Sequence, residues 1–206
     1  MSKQERYAGA SALQGLSLGQ QSAYISQYTP SLLQPVPRSL NRDDLGLGET
    51  LPFQGCDVWT LYELSWLNAK GKPVVALGEV AVPATSPNLI ESKSFKLYLN
   101  SFNQTRLAGV DELVATLTRD LSAAAGAPVL VHVAPLATRP QRPMGYPKGI
   151  LLDGLEIDVD LYTPEPALLT ADSARAPVAE TLYSHLLKSN CLVTGQPDWA
   201  MVVIRY

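Results

Sequence analysis

The chain has 206 residues, of which 46% are hydrophobic and 17% are charged, and its net charge is −3. This composition supports a buried core, and the length suits one large domain or two small ones. The 16 Lys and Arg residues form no dense cluster, which argues against direct nucleic-acid binding. No apolar run is long enough to span a membrane, and the N-terminus lacks a signal-peptide core, so we expect a cytoplasmic protein with free thiols.

The first half of the chain begins with an irregular segment and continues with two strand patterns. Residues 1–50 are rich in Gln, Ser, Gly and Leu with weak periodicity, which predicts an N-terminal arm that wraps the folded part. Residues 58–68 and 72–82 are rich in β-branched and aromatic residues and flank a short turn. That arrangement is typical of two antiparallel strands joined as a hairpin.

Two helical patterns follow the predicted hairpin. Apolar residues recur at helical spacing over residues 95–102 and again over residues 110–121, and Gly126 ends the second pattern. Residues 129–136 then predict another strand. The order strand, strand, helix, helix, strand indicates an α+β domain over residues 51–137, with the helices on one face of an antiparallel sheet.

A proline-rich joint separates the two halves. Prolines disfavour both helix and sheet, and we place the joint at residues 138–149. The second domain is predicted over residues 150–206. Within it, residues 151–162 and 199–206 alternate like strands, whereas residues 178–190 fit either a helix or a strand.

The second half begins to repeat the first. Asp198-Trp199 before the last apolar run matches Asp57-Val58-Trp59 before the first predicted strand. On this alignment the second half lacks its second strand and both helices. We therefore expect an incomplete second domain.

Cys191 and Asp198 are the first candidates for chemistry. A reactive cysteine needs help to lower its thiol pKa, and Lys188 with the amides of the following turn are candidates for this help. The structural alternative is a buried small hydrophobic residue. Asp198 either forms a turn or serves as a proton donor beside the thiol.

A second cluster lies at the start of the first predicted helix. Glu91 stands at the helix entrance, and Ser92, Lys93, Ser94 and Lys96 combine hydroxyl groups, ammonium groups and helix N-terminal amides. This combination can bind phosphates. The structural alternative is a capped helix with a solvated lysine face. No Cys and His spacing suits zinc, so we expect no metal site.

Two blocks of sequence carry a family resemblance. "ESKSFKLYLNSFN" (91–103) and "KSNCLVTGQPDWA" (188–200) closely resemble the two-domain (type II) NADPH-dependent 7-cyano-7-deazaguanine (preQ0) reductases of queuosine biosynthesis. The resemblance runs from about Leu40 to the end of the chain. It implies tandem tunnelling-fold domains, each an antiparallel four-stranded sheet with two helices on one face. It also implies that the protein forms a homodimer.

The resemblance also implies a reaction and roles for residues. The family reduces the nitrile of preQ0 to an aminomethyl group with two equivalents of NADPH. Cys191 matches the cysteine that forms a covalent thioimide, and Asp198 matches the acid that protonates nitrogen. Ile90, Glu91 and Ser92 match positions that contact the deazaguanine base, and Ser92 with Lys93 match positions that contact NADPH.

The sequence departs from the family's pattern in its second half. The family continues with a His-Glu pair that binds substrate and an Arg-Gly element that contacts the cofactor, and neither is found in these 206 residues. A chain that ended at Tyr206 would be expected to have weak activity or none.

Two other functions remain open from the sequence, and a third is excluded. An amidinotransferase relative forms the same thioimide, although the 91–103 block argues against it. A zinc-dependent pterin-forming hydrolase of the same fold would need metal ligands that the sequence does not offer. A non-catalytic binding module would keep the pocket without the chemistry.

Overall fold

The computed structural model describes residues 23–48, 50–138, 145–163, 165–170, 174, 176–191 and 195–206. The first 22 residues of the predicted arm and residues 139–144 of the predicted joint lie outside these residues. The chain divides into two compact units, Met1–Gln141 and Arg142–Tyr206. Each unit is described by itself.

The first unit contains a three-stranded antiparallel sheet, a two-stranded ladder, three α-helices and two short 3-10 helices in its described residues. The predicted hairpin, the two long helices and the following strand are all confirmed, and so is the α+β class. The elements in chain order are β1 (Pro35–Pro37), α1 (Ser39–Arg42), β2 (Cys56–Leu67), β3 (Pro73–Pro83), β4 (Asn88–Ile90), α2 (Ser92–Asn100), α3 (Val110–Ala125) and β5 (Leu130–Pro135).

The sheet has the strand order β2-β3-β5, with β2 and β5 at its edges. Alternate side chains of β3, such as Ala76, Val80 and Val82, point into the core, as the two-residue period of a strand requires. The register between β2 and β3 shifts between Leu61 and Leu64, which marks a β-bulge. Because side chains alternate along the strands, the sheet has one buried face and one exposed face.

The helices α2 and α3 cover the buried face of the sheet. In α3, Leu113, Leu117, Leu121 and Ala125 are spaced by four residues and are almost fully buried. The helix ends at Gly126, whose φ of 71° is a left-handed conformation that glycine adopts without strain. In α2 the same packing role falls to Phe95 and Tyr98, with Phe102 just beyond the helix.

The resemblance predicted a four-stranded sheet, and the described residues give three strands in the main sheet of this unit. The strands β1 and β4 pair only with each other, in the register Pro35↔Ile90 and Pro37↔Asn88. Each is three residues long, and the two prolines of β1 have no N–H to donate. The ladder therefore fixes the segment before α1 against the residues that lead into α2.

The second unit contains one sheet with the order β6-β7-β8 in its described residues. The strands β7 (Thr181–Asn190) and β8 (Pro197–Arg205) form an antiparallel hairpin, and β6 (Ile150–Leu151) adds to β7 in parallel. The predicted strand at residues 199–206 is confirmed, and the ambiguous segment 178–190 is largely strand. Among this unit's described residues, the one helix is a three-residue 3-10 helix, Pro166–Leu168.

Two predictions for the second half are wrong. Residues 152–162 are not a strand, because the chain turns away after Leu151 and their alternating apolar side chains face solvent without a neighbouring strand. The repeat was also misaligned. Asp57 begins the first strand of one hairpin, whereas Asp198 begins the second strand of the other, so the second strand is present.

The hydroxyl groups of two tyrosines meet at one buried carboxylate. Tyr28 and Tyr98 each donate a hydrogen bond of 2.7 Å to Asp120 Oδ2, and Arg119 Nε lies 2.9 Å from Asp120 Oδ1. Burial, followed by the hydrogen bond to Asp120, raises the pKa of Tyr98 above its ordinary value. This cluster links the segment around residue 28 to both long helices.

In the part of the chain described here, no helix is long and apolar enough to cross a membrane.

We expect the first unit to lose stability above about pH 10, where an unfolded tyrosine ionises and the native Tyr98 keeps its proton. The unfolded state then binds fewer protons than the native state, so the free energy of unfolding falls as pH rises. In Tyr98→Phe this alkaline loss should be smaller by about 1 kcal/mol per pH unit. Urea unfolding at several pH values measures it. Tyr62→Phe, at a residue that is 75% exposed, is the control, and equal pH slopes in both variants would contradict the prediction.

Candidate functional site

Glu91 precedes α2, and its carboxylate caps the helix. Oε1 accepts a hydrogen bond from the Lys93 N–H at 2.7 Å, and Oε2 accepts one from the Ser94 N–H at 2.6 Å. The first N–H groups of a helix have no partner within the helix, and charged acceptors satisfy them well. Glu91 is only 7% exposed. The structure therefore shows the capped helix that the sequence analysis left as its structural alternative.

The capping changes which groups of the 91–96 cluster are available to an anion. The amides of Lys93 and Ser94 already donate to Glu91, whose negative charge lies at the helix N-terminus. Their predicted role in phosphate binding is thus wrong in this structure. The side chain of Ser94 is fully buried, whereas Ser92 and Lys96 are exposed and Lys93 is half-buried. The other polar groups of the cluster are the Ser92 hydroxyl, which lies 3.4 Å from Glu91 Oε1, and the ammonium groups of Lys93 and Lys96.

A cleft of about 340 Å³ lies beside this cluster, lined by residues of α2 and β2. Ser92 and Lys96 line it from α2, and Trp59, Tyr62 and Glu63 line it from β2. Aromatic faces can stack on a flat ring, and an ammonium group can meet a phosphate. The arrangement suits a ligand that carries both. Within the described residues, no three His, Cys, Asp or Glu side chains are grouped to hold a metal ion.

Cys191 follows β7 directly and starts the turn to β8. Its N–H donates to the Gln196 carbonyl at 2.8 Å, and its carbonyl accepts a hydrogen bond of 2.8 Å from the Gly195 N–H. Gly195 has a φ of 69°, which permits this tight turn. Cys191 forms no disulfide and is half-buried. The main chain of Cys191 is thus fixed from both sides of the turn.

Asp198 lies near Cys191 at the same end of the hairpin. In the ladder Asp198 is opposite Ser189, which precedes Cys191 by two residues. Side chains two residues apart in a strand share a face, and diagonal neighbours across the pair are about 7–8 Å apart. The hairpin therefore brings Cys191 and Asp198 to one face, as their proposed cooperation requires.

The structure does not bring Lys188 to the thiol. Lys188 is opposite Trp199 in the ladder, and its Nζ lies 5.9 Å from the centre of the Trp199 ring. That distance is within the range of a cation–π contact. Lys188 and Cys191 are three residues apart, so strand alternation directs them to opposite faces. The predicted help from Lys188 is therefore wrong.

Comparison with known protein families identifies the family of this chain. The family model described as the N-terminal part of the nitrile reductase 7-cyano-7-deazaguanine reductase matches residues 24–133. That range covers the 91–96 cluster and most of the cleft-bearing unit. The chain belongs to the 7-cyano-7-deazaguanine reductase family.

Curated relatives agree with this family over most of the chain. A protein of Dechloromonas aromatica (strain RCB) is 63% identical over 190 residues, which are 92% of this chain and 67% of that protein. A protein of Aromatoleum aromaticum is 59% identical over 190 residues, and one of Ralstonia nicotianae is 58% identical over 191 residues. Both alignments cover 92% of this chain, with 67% and 69% of the respective relatives. All three are named NADPH-dependent 7-cyano-7-deazaguanine reductase.

In this member of the reductase family, the predicted site residues fall into two groups. Cys191 and Asp198 belong to the second unit, and the other four belong to the first unit. Ile90, Glu91, Ser92 and Lys93 are consecutive in the first unit, and only Ser92 among them lines the cleft. The sequence analysis missed Trp59 and Tyr62 as lining residues. Their signal was the aromatic content of residues 58–68, which we used only to predict a strand. A strand at the edge of a sheet can instead present such rings to a ligand.

We expect Glu91→Ala to destabilise the first unit by about 1–2 kcal/mol, because it leaves two helix N–H groups without their charged acceptor. Glu91→Gln keeps one acceptor oxygen and should lose less. Urea unfolding followed by circular dichroism measures both changes. Glu63→Ala, at an exposed position, is the control. A loss in Glu91→Ala no larger than in the control would contradict the capping role.

Proposed function

We propose that this chain carries out the NADPH-dependent reduction of the nitrile of preQ0 to the aminomethyl group of preQ1, in queuosine biosynthesis. The observation that carries the proposal is the 58–63% identity over 92% of the chain to proteins named for that activity. The aromatic, hydroxyl and ammonium groups of the cleft, together with the Cys191 hairpin, support it chemically.

In this proposal Ile90, Glu91 and Ser92 bind the deazaguanine base. A carboxylate offers about four acceptor positions, so the Glu91 carboxylate can cap α2 and still accept hydrogen bonds from a ring N–H or amino group. The Ile90 side chain is 4% exposed and lies in the core, so a contact from Ile90 falls to its main chain. The capping bonds hold the carboxylate in place before substrate arrives.

Ser92 and Lys93 bind the cofactor in this proposal, and Lys96 joins them from the cleft. The residues fit NADPH in that the exposed Ser92 hydroxyl and Lys96 ammonium group, with the half-buried Lys93, suit its phosphates, and Trp59 and Tyr62 offer surfaces for its rings. NADPH, when bound, supplies hydride to the carbon of the former nitrile. The amides of Lys93 and Ser94 take no part, because they already donate to the Glu91 carboxylate.

Cys191 is the nucleophile and Asp198 the proton donor in the proposed mechanism. A nitrile accepts hydride poorly. Addition of the Cys191 thiolate forms an S–C bond and converts the C≡N bond into the C=N bond of a thioimide, which is more electrophilic. Asp198 delivers a proton to the nitrogen, so negative charge does not accumulate there. Hydride addition and loss of the Cys191 thiolate then give an imine, and a second hydride with a proton gives the amine.

The proposed setting is the cytosol, where thiols remain reduced, with a homodimer as the assembly and without direct contact to nucleic acid or membrane. Support for self-association comes from the outer face of the main sheet of the first unit. Large apolar side chains of that face, Val58, Val75 and Leu130, are between 54% and 76% exposed. Exposed apolar surface of this kind is typical of protein interfaces.

We expect incubation with preQ0 to add the mass of one nitrile molecule to the intact chain. The adduct should be absent in Cys191→Ala, because the thioimide carbon is bonded to that sulfur. Cys56→Ala is a matched control, since Cys56 is the other free cysteine and is exposed. It should form the adduct like the wild type. Intact-mass spectrometry measures all three, and an unmodified wild type or an adduct that survives in Cys191→Ala would overturn the mechanism.

We expect Asp198→Asn to lower the rate of NADPH oxidation with preQ0 by a factor of about 100 or more, the contribution that general acids commonly make. Alkylation of Cys191 by iodoacetamide should persist, because the variant keeps the thiol. Asp158→Asn, at an exposed aspartate of the same unit, is the control. Loss of the same size in both variants would argue against a specific role for Asp198.

A further inference from the structure

A closed ring of hydrogen bonds surrounds the main chain of Glu91. The Glu91 N–H donates to the Gln34 carbonyl at 2.9 Å, and the Gln34 N–H donates to Ser94 Oγ at 3.0 Å. The Ser94 hydroxyl in turn donates to the Glu91 carbonyl at 2.8 Å. Three residues thus hold one another through their main chains and one hydroxyl group. The ring continues the β1–β4 ladder by one step.

Ser94 contacts Glu91 at two places. Its hydroxyl fixes the Glu91 carbonyl, and its N–H donates to the Glu91 carboxylate at 2.6 Å. Ser94 is 0% exposed, so water does not replace these bonds when they are lost. The position of the Glu91 carboxylate therefore depends on the Ser94 hydroxyl, and through it on the segment that contains Gln34.

We propose that Ser94 is a positioning residue that fixes Glu91 for its contact with the deazaguanine base, with the main chain of Gln34 as its partner. This inference rests on the proposed function. It makes residues 34–37 part of the framework of the substrate site, although they precede the site motif by more than fifty residues in sequence. Loss of the hydroxyl removes one of the two hydrogen bonds to the Glu91 carbonyl, which also accepts from the Phe95 N–H at 2.9 Å, and it removes the Ser94 acceptor of the Gln34 N–H.

The residue that follows α2 provides a matched control. Ser101 is also 0% exposed, its hydroxyl donates to the Tyr98 carbonyl at 2.6 Å, and it accepts a hydrogen bond of 3.2 Å from the Thr29 N–H. Ser101 therefore makes the same two kinds of bond as Ser94, to the same N-terminal segment. It makes them at the other end of α2, away from Glu91. Ser94→Ala and Ser101→Ala remove equivalent bonds and differ in their distance from the site.

The test compares both variants in the full chain carrying Cys191→Ala, so that binding is measured without the covalent step. We expect Ser94→Ala to raise the Kd for preQ0 about fivefold to tenfold by calorimetry, as loss of a buried hydrogen bond predicts, and Ser101→Ala to leave it unchanged. With Cys191 restored, Ser94→Ala should raise KM and leave kcat nearly unchanged. Thermal stability should fall similarly in both. Amide hydrogen exchange at residues 88–96 should accelerate only in Ser94→Ala.

Equal Kd values for the two variants would overturn the inference and leave the proposed function intact. The same conclusion would follow if Ser94→Ala weakened binding without changing amide exchange around residue 91. A Cys191→Ala parent that binds no preQ0 would overturn the proposed function, and the binding role of Ser94 with it. The two failures are therefore distinguishable.

Discussion

Burial of one face of the β2-β3-β5 sheet under α2 and α3 is the interaction on which the first unit depends. The two helices supply Phe95, Tyr98, Leu113 and their neighbours to a core that also contains Leu64 and the alternate residues of β3. Because hydrophobic burial is the main favourable contribution to folding, this contact fixes where each helix lies. The N-terminus of α2 is thereby held beside the edge strand β2. The cleft follows from that placement.

Because of this packing, the Glu91 carboxylate both stabilises α2 and is positioned to bind a base. A helix that starts beside the cleft needs its first N–H groups satisfied, and Glu91 satisfies two of them. A preformed acceptor is useful for recognising a base that carries N–H donors, because no reorganisation is required on binding. Capping and recognition are therefore compatible, because capping uses some acceptor positions of the Glu91 carboxylate and leaves others for the base. The helix end is in this sense part of the site.

The elements predicted correctly from sequence are those whose pattern is local and repeats over several turns or residues. The apolar spacing of α3 and the alternation of β3 extend over 16 and 11 residues, long enough to separate helix from strand. The β1–β4 ladder has only three pairs, two of which involve proline, so no periodic signal existed for it. The hairpin of the second unit did have a signal. Thr60-Leu61-Tyr62 in β2 reappears as Thr181-Leu182-Tyr183 in β7, and each stretch precedes or contains a register shift.

The candidate site was partly predictable for a related reason. Residue chemistry indicated Cys191 and Asp198, and a short turn between antiparallel strands necessarily brings its two ends together. The error over Lys188 came from leaving residues 178–190 undecided between helix and strand. On a helix, positions three apart share a face, which would bring Lys188 to Cys191. In a strand they lie on opposite faces, and the contact between Lys188 and Trp199 reflects that parity. The choice of period therefore decides which groups can assist the thiol, and a strand favours Asp198 over the lysine.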